Sequence, residues 1–239
     1  MLRAYPATPD LGQSLTQAAW IDLVDPSPSE TAAFEKAFGL RVPTKEELSE
    51  IETTSRLQVD HGALYMTAPV IIATGDEPWI SAPTGFVLSK KVLLTVRFVQ
   101  SPIFDAVSKE FNAERLEPAQ AYVCALEELV DHMADLLEAS SLALDDASHV
   151  IFRRENLRRL SRETTLLRQL LVRTGRTSER MARVNYTLVC LDRMAKFTTE
   201  RAREWLGPDQ ISRLQSVSAD IASLEQYAEG VVKIGRAHV

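Results

Sequence analysis

Cysteine is scarce in these 239 residues: Cys124 and Cys190 are the only two, far apart and outside any CxxC spacing. That excludes a disulfide framework and the common zinc and redox motifs, and leaves two thiols expected to be reduced and buried. No apolar run approaches the roughly 18 to 20 residues needed to span a bilayer, and the opening "MLRAYPATPD" lacks the apolar core of a secretory signal. GxSxG, P-loop, GxGxxG and HExxH patterns are missing as well. With no nucleophile elbow, phosphate cradle, dinucleotide loop or zinc helix, the residues indicate no enzyme. What is there is ordinary for a soluble globular chain, 45% apolar and 25% charged, long enough for one large domain or two small ones.

The formal net charge of −6 hides an asymmetry. Residues 1–149 carry 10 basic and 23 acidic side chains, whereas 150–206 carry 14 basic and 6 acidic ones. The acidic front half argues against nucleic acid there and would concentrate cations around it. The basic segment is rich in arginine, Arg168, Arg173, Arg176, Arg180 and Arg183 among them, yet no aromatics are interleaved for base stacking. A long surface helix pairing with the acidic helix before it accounts for it better than an RNA site, and no nucleic-acid partner is expected.

Periodicity then divides the chain. "AAWIDLVDP" is a short apolar run stopped by Pro26, a buried strand. A helix follows, with Ser29 as its cap and Gly39 as its stop. Thr44 and Glu47 form a capping box that opens a second helix. "SRLQVDHGALYMTAPVII" alternates as two strands around Asp60-His61-Gly62, and "TGFVLSKKVLLTVRFV" repeats the pattern around Lys90-Lys91. A sheet of about five strands results. A short helix has Ser101 as its cap and Pro102 at its first position, and long helices are expected over 118–153, 155–173, 181–206 and onward from Pro208, with Gly175 as a break. The fold class is α+β, an α/β/α head continuing into helices.

In the last helix, Leu214, Val217, Ile221, Leu224, Ala228 and Val231 fall at alternating intervals of three and four. Two apolar positions per heptad form a narrow seam, the pattern of a helix packing on like helices, and predict self-association. The acidic helix offers Glu128 and His132 at i, i+4, but a di-iron helix wants Glu-x-x-His, and a solvated or Arg-paired face is the simpler reading. Glu46 and Glu47 beside Glu50 suit the start of a helix dipole better than acid–base chemistry.

"WIDLVDPSPSE", "VPTKEELSEIETTSRLQVDHGALYMTAPVI" and "FVLSKKVLLTVRF", in that order and spacing, resemble the cytoplasmic N-terminal domain of CorA-family magnesium transporters. The resemblance implies a homopentameric, magnesium-gated channel for Mg2+, with Co2+ and Ni2+ carried by relatives. It implies an α/β/α cytoplasmic funnel whose last helix becomes a stalk entering the inner membrane. The family's Gly-Met-Asn tripeptide does not occur here. On this reading 1–206 are the funnel and 207–232 the start of the stalk, with the membrane segment missing. "IGRAHV" is what ATC-GGA-AGA-GCA-CAC-GTC encodes, which resembles a sequencing adapter, so 233–239 are expected to be an artefact.

The resemblance also implies a regulatory Mg2+ between subunits, held partly by the acid of an "ELxxI" motif. Glu50 stands at that position, with Ser49 where relatives often have a second acid. A further family acid on the stalk matches Ser216, with Asp220 one turn on, so the expected metal residues are Glu50 and Asp220. Two alternatives stay open: the zinc-transporting branch of the family, and a soluble scaffold that self-associates through its last helix.

Overall fold

The computed structural model describes residues 1–5, 15–50, 56–72, 79–111, 117–152 and 160–237. Six strands form one mixed sheet in the order β1-β2-β6-β5-β4-β3. They are β1 (Leu2–Tyr5), β2 (Trp20–Val24), β3 (Leu57–Asp60), β4 (Ala63–Ile72), β5 (Ile80–Leu88) and β6 (Leu93–Arg97). Every neighbouring pair is antiparallel except β2 with β6. All residues of β2 and β6 are buried, as expected for a parallel pair covered on both faces. The sheet exceeds the expected five strands by β1, a four-residue edge strand too short to show a period.

The two hairpins form where the sequence places them. His61 (φ 47°) and Gly62 (φ 77°) both occupy the left-handed region that a tight β3–β4 turn demands. At the β5–β6 turn, the Ser89 hydroxyl accepts from the Lys91 and Val92 amides, 3.2 and 3.1 Å away. Helices α1 (Pro28–Phe38) and α2 (Lys45–Leu48) follow β2. The cap of α1 is Ser27 rather than Ser29: Pro28 takes the first helical position, and Ser27 with Glu30 completes a capping box. The Thr44–Glu47 box opens α2 as expected.

The pleat sends alternate residues to two cores. Ile21, Leu23, Val87, Leu94 and Val96 meet Phe34 of α1 and Leu48 of α2. Trp20, Met66, Phe86 and Leu93 face a helical layer of α3 (Pro102–Phe111), α4 (Pro118–Phe152), α5 (Leu160–Arg201) and α6 (Pro208–Ala237). The result is an α/β/α sandwich, and both cysteines are buried free thiols.

Two helix expectations change. Gly175 does not break a helix; α5 runs through it for 42 residues. An isolated glycine costs only about 1 kcal/mol relative to alanine, less than the neighbouring turns contribute when no proline is present. The second change concerns α6. Leu214, Val217, Ile221 and Ala228 are buried in the main core of their own chain, against α4 and α5; Leu224 is partly buried beside them, and the side chain of Val231 lies outside the described ones. The narrow seam therefore serves the domain itself: two neighbouring helices need only two apolar positions per heptad, whether they belong to one chain or to two.

Gly175 is exposed and an added Cβ would meet nothing within 4 Å. Gly175→Ala should therefore stabilise the protein by up to about 1 kcal/mol in urea titration; a break there would give no gain. Val217→Asp should unfold the head, at a cost of about 3 kcal/mol or more for an uncompensated buried charge, read as a lowered denaturation midpoint.

Candidate functional site

The region around Glu50 is built by a helix of one turn. Arg41 pairs with Glu47, and the Thr44 amide donates to the same carboxylate at 2.8 Å. The Thr44 backbone donor and the Arg41 guanidinium hold the Glu47 carboxyl below the ordinary glutamate value against the opposing effect of partial burial. Glu47 is thus committed to capping. Ser49 ends the helix, its hydroxyl donating to the Lys45 carbonyl at 2.7 Å. Glu50 comes after this stop, exposed and outside the helix. The macrodipole of α2 therefore does not occupy its carboxylate, which forms no ion pair among the described residues.

What fixes Glu50 is its backbone. Arg56 donates to the Glu50 carbonyl through Nε at 3.3 Å and Nη2 at 3.1 Å. The same guanidinium lies 5.6 Å from the Tyr186 ring centroid, donates to the Tyr186 hydroxyl, and reaches Cys190 Sγ at 3.8 Å. Tyr186 and Cys190 sit one turn apart on α5. One side chain therefore ties the segment after α2 to the longest helix. Sequence reasoning missed Arg56, because nothing in "TTSRLQ" announces a partner 130 residues away.

Asp220 lies on the outer face of α6, exposed, one turn beyond exposed Ser216. Beneath it Val217 and Ile221 anchor the helix, and Arg213 clamps it to α4 through Glu127 (Nε to Oε1, 2.9 Å) and Cys124 Sγ (3.3 Å). The hydrogen bond to Glu127 holds the Arg213 guanidinium above its already high pKa. Asp220 itself has no ion pair among the described residues.

Glu50 follows the helix whose Leu48 enters the α1–α2 core, whereas Asp220 stands on a helix of the opposite core. No group of three or more His, Cys, Asp or Glu able to hold a metal occurs among the described residues. Each acid can offer one carboxylate to a hydrated cation, which suits Mg2+, an ion that keeps most of its waters and takes one or two carboxylates. The pair Glu128 and His132 forms no such group: His132 Nε2 lies 3.0 Å from the Ile71 carbonyl. Among the arginines of α5, Arg173 reaches α4 at Asp146, 3.4 Å away, while Arg183 pairs along its own helix with Glu179. No helix among the described residues is long and apolar enough to cross a membrane.

Removal of Arg56 should loosen the Glu50 segment selectively. In Arg56→Ala, amide exchange at Ser49 and Glu50 should rise by about tenfold or more, reflecting the loss of two charge-assisted hydrogen bonds at roughly 1.5–3 kcal/mol each before compensation by water. Exchange in β4 and β5 should stay unchanged. Uniform acceleration everywhere would make Arg56 a global rather than local support.

Comparison with known proteins gives a consistent picture. The model of the CorA-like Mg2+ transporter family matches residues 16–234. The magnesium transport protein CorA of Haemophilus ducreyi is 25% identical over 220 residues, covering 91% of this chain and 67% of that protein. That of Wolinella succinogenes is 30% identical over 132 residues, covering 52% of this chain and 41% of the relative. Among solved structures, the soluble domain of CorA from Methanocaldococcus jannaschii superposes with a TM-score of 0.73 at 14% identity, over 99% of this chain and 93% of that one. The cytoplasmic domain of ZntB from Vibrio parahaemolyticus gives 0.52 at 11% identity, over 91% and 84%.

Proposed function

This chain belongs to the CorA-like Mg2+ transporter family, and from that premise we propose that it is the cytoplasmic sensing and gating domain of a homopentameric divalent-cation channel of the inner membrane. Residues 1–206 form the funnel and 207–232 begin the stalk; 233–239 carry no function. The chain is not an enzyme. The observation that carries this reading is the family match over residues 16–234, joined to two exposed acids without ion-pair partners among the described residues.

Glu50 of one subunit and Asp220 of its neighbour share a regulatory Mg2+. Separation of the two acids onto different layers suits a site completed by two chains rather than one. Bound cations neutralise carboxylates that otherwise repel across the seam, and so hold the closed arrangement; their loss loosens it. Ser49 and Ser216 leave such a site with fewer charges, which favours a weak, readily reversed cation.

Likeness to the ZntB cytoplasmic domain supports one second reading, zinc in place of magnesium as the transported ion. Mg2+ is the better-supported ion, since the curated relatives matched over most of this chain are named magnesium transport proteins. The scaffold alternative loses its motive, because Leu214, Val217, Ile221 and Ala228 of the seam that suggested it are buried within the domain.

Linkage supplies the test: an ion bound between chains favours the associated form. Millimolar Mg2+ should shift the chain toward larger species in sedimentation velocity. Glu50→Ala and Asp220→Ala should each require about tenfold more Mg2+, the factor corresponding to roughly 1.4 kcal/mol, and an equimolar mixture of the two variants should partly recover. Identical sedimentation of wild type and both variants at every Mg2+ concentration would leave Glu50 and Asp220 as ordinary surface charge.

A further inference from the structure

Arg168, Arg173, Arg176 and Arg180 of α5 line an open groove of about 720 Å3, with Ala143 on its α4 side. From Arg168 to Arg180 the helix rises about 18 Å, so the charge forms a row rather than a point. Little in the protein answers it. Arg173 reaches Asp146 only at 3.4 Å, and Glu179 is taken by Arg183. Arg168 and Arg176 are exposed and form no ion pair among the described residues. Arg180 is steadied over the Trp79 ring, 4.9 Å from its centroid. Val172 stands among these arginines 49% exposed, and Leu142 of α4 is 61% exposed. Large apolar side chains left in water beside guanidinium groups are the make-up of a face that lies in a bilayer interface.

The helix directions say where this face points. α4 and α5 run antiparallel: Thr198 donates to the Tyr122 hydroxyl at 3.0 Å towards one end, and Arg173 meets Asp146 towards the other. The short connection 202–207 turns α6 back along α5 and so parallel to α4, with Arg213 on Glu127. Advancing equally along α4 and α6 from that pair brings Asp146, and with it Arg173, about level with residue 232. The groove therefore lies at the end of the helical layer towards which α6 leads. Under the reading given above, that is the side of the membrane; the inference rests on that reading for this orientation.

Charge narrows the occupant. Residues 1–149 carry 23 acidic against 10 basic side chains, so a negative surface is repelled by the sheet half and admitted at this end. A single small anion would leave most of an 18 Å row unused (roughly four guanidinium groups at 1.5 Å per residue) and would gain nothing from Val172. A sheet of phosphodiester headgroups uses both. We propose that the distal end of the α4–α5 pair docks on the anionic headgroups of a phospholipid bilayer, its arginines on phosphates and Val172 against the acyl boundary. The contact props the head against the membrane.

The test is co-sedimentation of the full chain with vesicles of about two parts phosphatidylcholine to one part phosphatidylglycerol, at low salt and without divalent cations. Saturable binding is expected, weakening steeply as salt is raised, with none to phosphatidylcholine alone. Arg168→Gln/Arg176→Gln should weaken binding by about twentyfold, near fivefold for each charge, while melting as wild type does. Arg193→Gln/Arg201→Gln removes the same charge from exposed positions at the other end of α5 and should change binding by less than about twofold. Absence of binding to the anionic vesicles overturns the proposal. So does an equal loss in the two double variants, which would mark net charge alone. Binding of inorganic pyrophosphate that Arg168→Gln/Arg176→Gln abolishes, in a chain that ignores vesicles, overturns it in favour of a soluble anion. A shift of that variant to smaller species without lipid overturns it in favour of a second copy. The Mg2+ response of Glu50 and Asp220 is measured without lipid, so failure of that reading and failure of vesicle binding stay separable.

Discussion

Asp22 and Arg97 meet inside the protein, 2% or less of either side chain exposed, with Arg97 Nη2 2.8 Å from Asp22 Oδ2. Charges so placed cost several kcal/mol each to desolvate, and the cost is tolerable only when their hydrogen bonds are met. Here they are. Arg97 Nε and Thr95 Oγ1 both donate to Asp22 Oδ1, at 3.1 and 2.8 Å. Trp20 Nε1 donates to Thr95 Oγ1 at 3.0 Å, and Arg97 Nη1 to the Val99 carbonyl at 3.0 Å. The guanidinium carbon then lies 4.9 Å from the Phe104 ring centroid, which seats α3 on the sheet. β2 and β6 are the parallel pair, brought together from distant parts of the chain with no hairpin to set their register. A slip of one residue in either strand would turn its charge into the opposite apolar core and leave the other unpaired. The network therefore specifies the register on which every other strand is stacked.

From that register follow two faces with different work. One carries α1 and the single turn of α2, and delivers Glu50 to the surface with its carboxylate uncommitted. The other carries the long helices, and delivers Asp220 on α6. Arg56 crosses between them, holding the Glu50 carbonyl with two of its nitrogens and meeting Tyr186 of α5 with its face. Arg213 does similar work on the far side, joining α6 to α4. The side-chain links that bear on the candidate residues are thus arginines, whose rigid forks serve two acceptors at once.

Much of this was legible in the sequence where the signal is local. The strands of "WIDLV" and of the two hairpins, the Thr44–Glu47 box and the Gly39 stop depend on neighbours within a few residues, and all are found. Apart from the cap of α1, which is Ser27 and not Ser29, the misreadings share a cause, that the deciding partner is distant. Gly175 looks like a break until α5 gains a helical neighbour to pack on. Leu214, Val217 and Ile221 read as a seam for another chain until α4 and α5 of the same chain cover them. Ser101 sits at a helix-cap position, yet its hydroxyl is left over, which only the packing of α3 on α4 could reveal. Arg56 had no signal at all. The resemblance of the ordered motifs to CorA transporters supplied the family, while the environment of each acid required three dimensions.

Burial of the α6 seam also bears on how a cation at the proposed site could act. A helix held only by like helices of other subunits would be free to shift when charge at its surface changed. α6 instead is bolted to its own domain by Val217, Ile221 and the Arg213–Glu127 pair. A cation shared by Glu50 and a neighbour's Asp220 would then pull on whole domains, because neither acid has a soft mounting. Glu50 is held through its backbone to α5, and Asp220 rides on a helix packed into the core. Under the proposed reading, loss of the ion changes the angle between rigid subunits rather than the shape of one. Such a lever transmits a small change in contact over the full length of the helical layer, which is what a sensor distant from its pore requires.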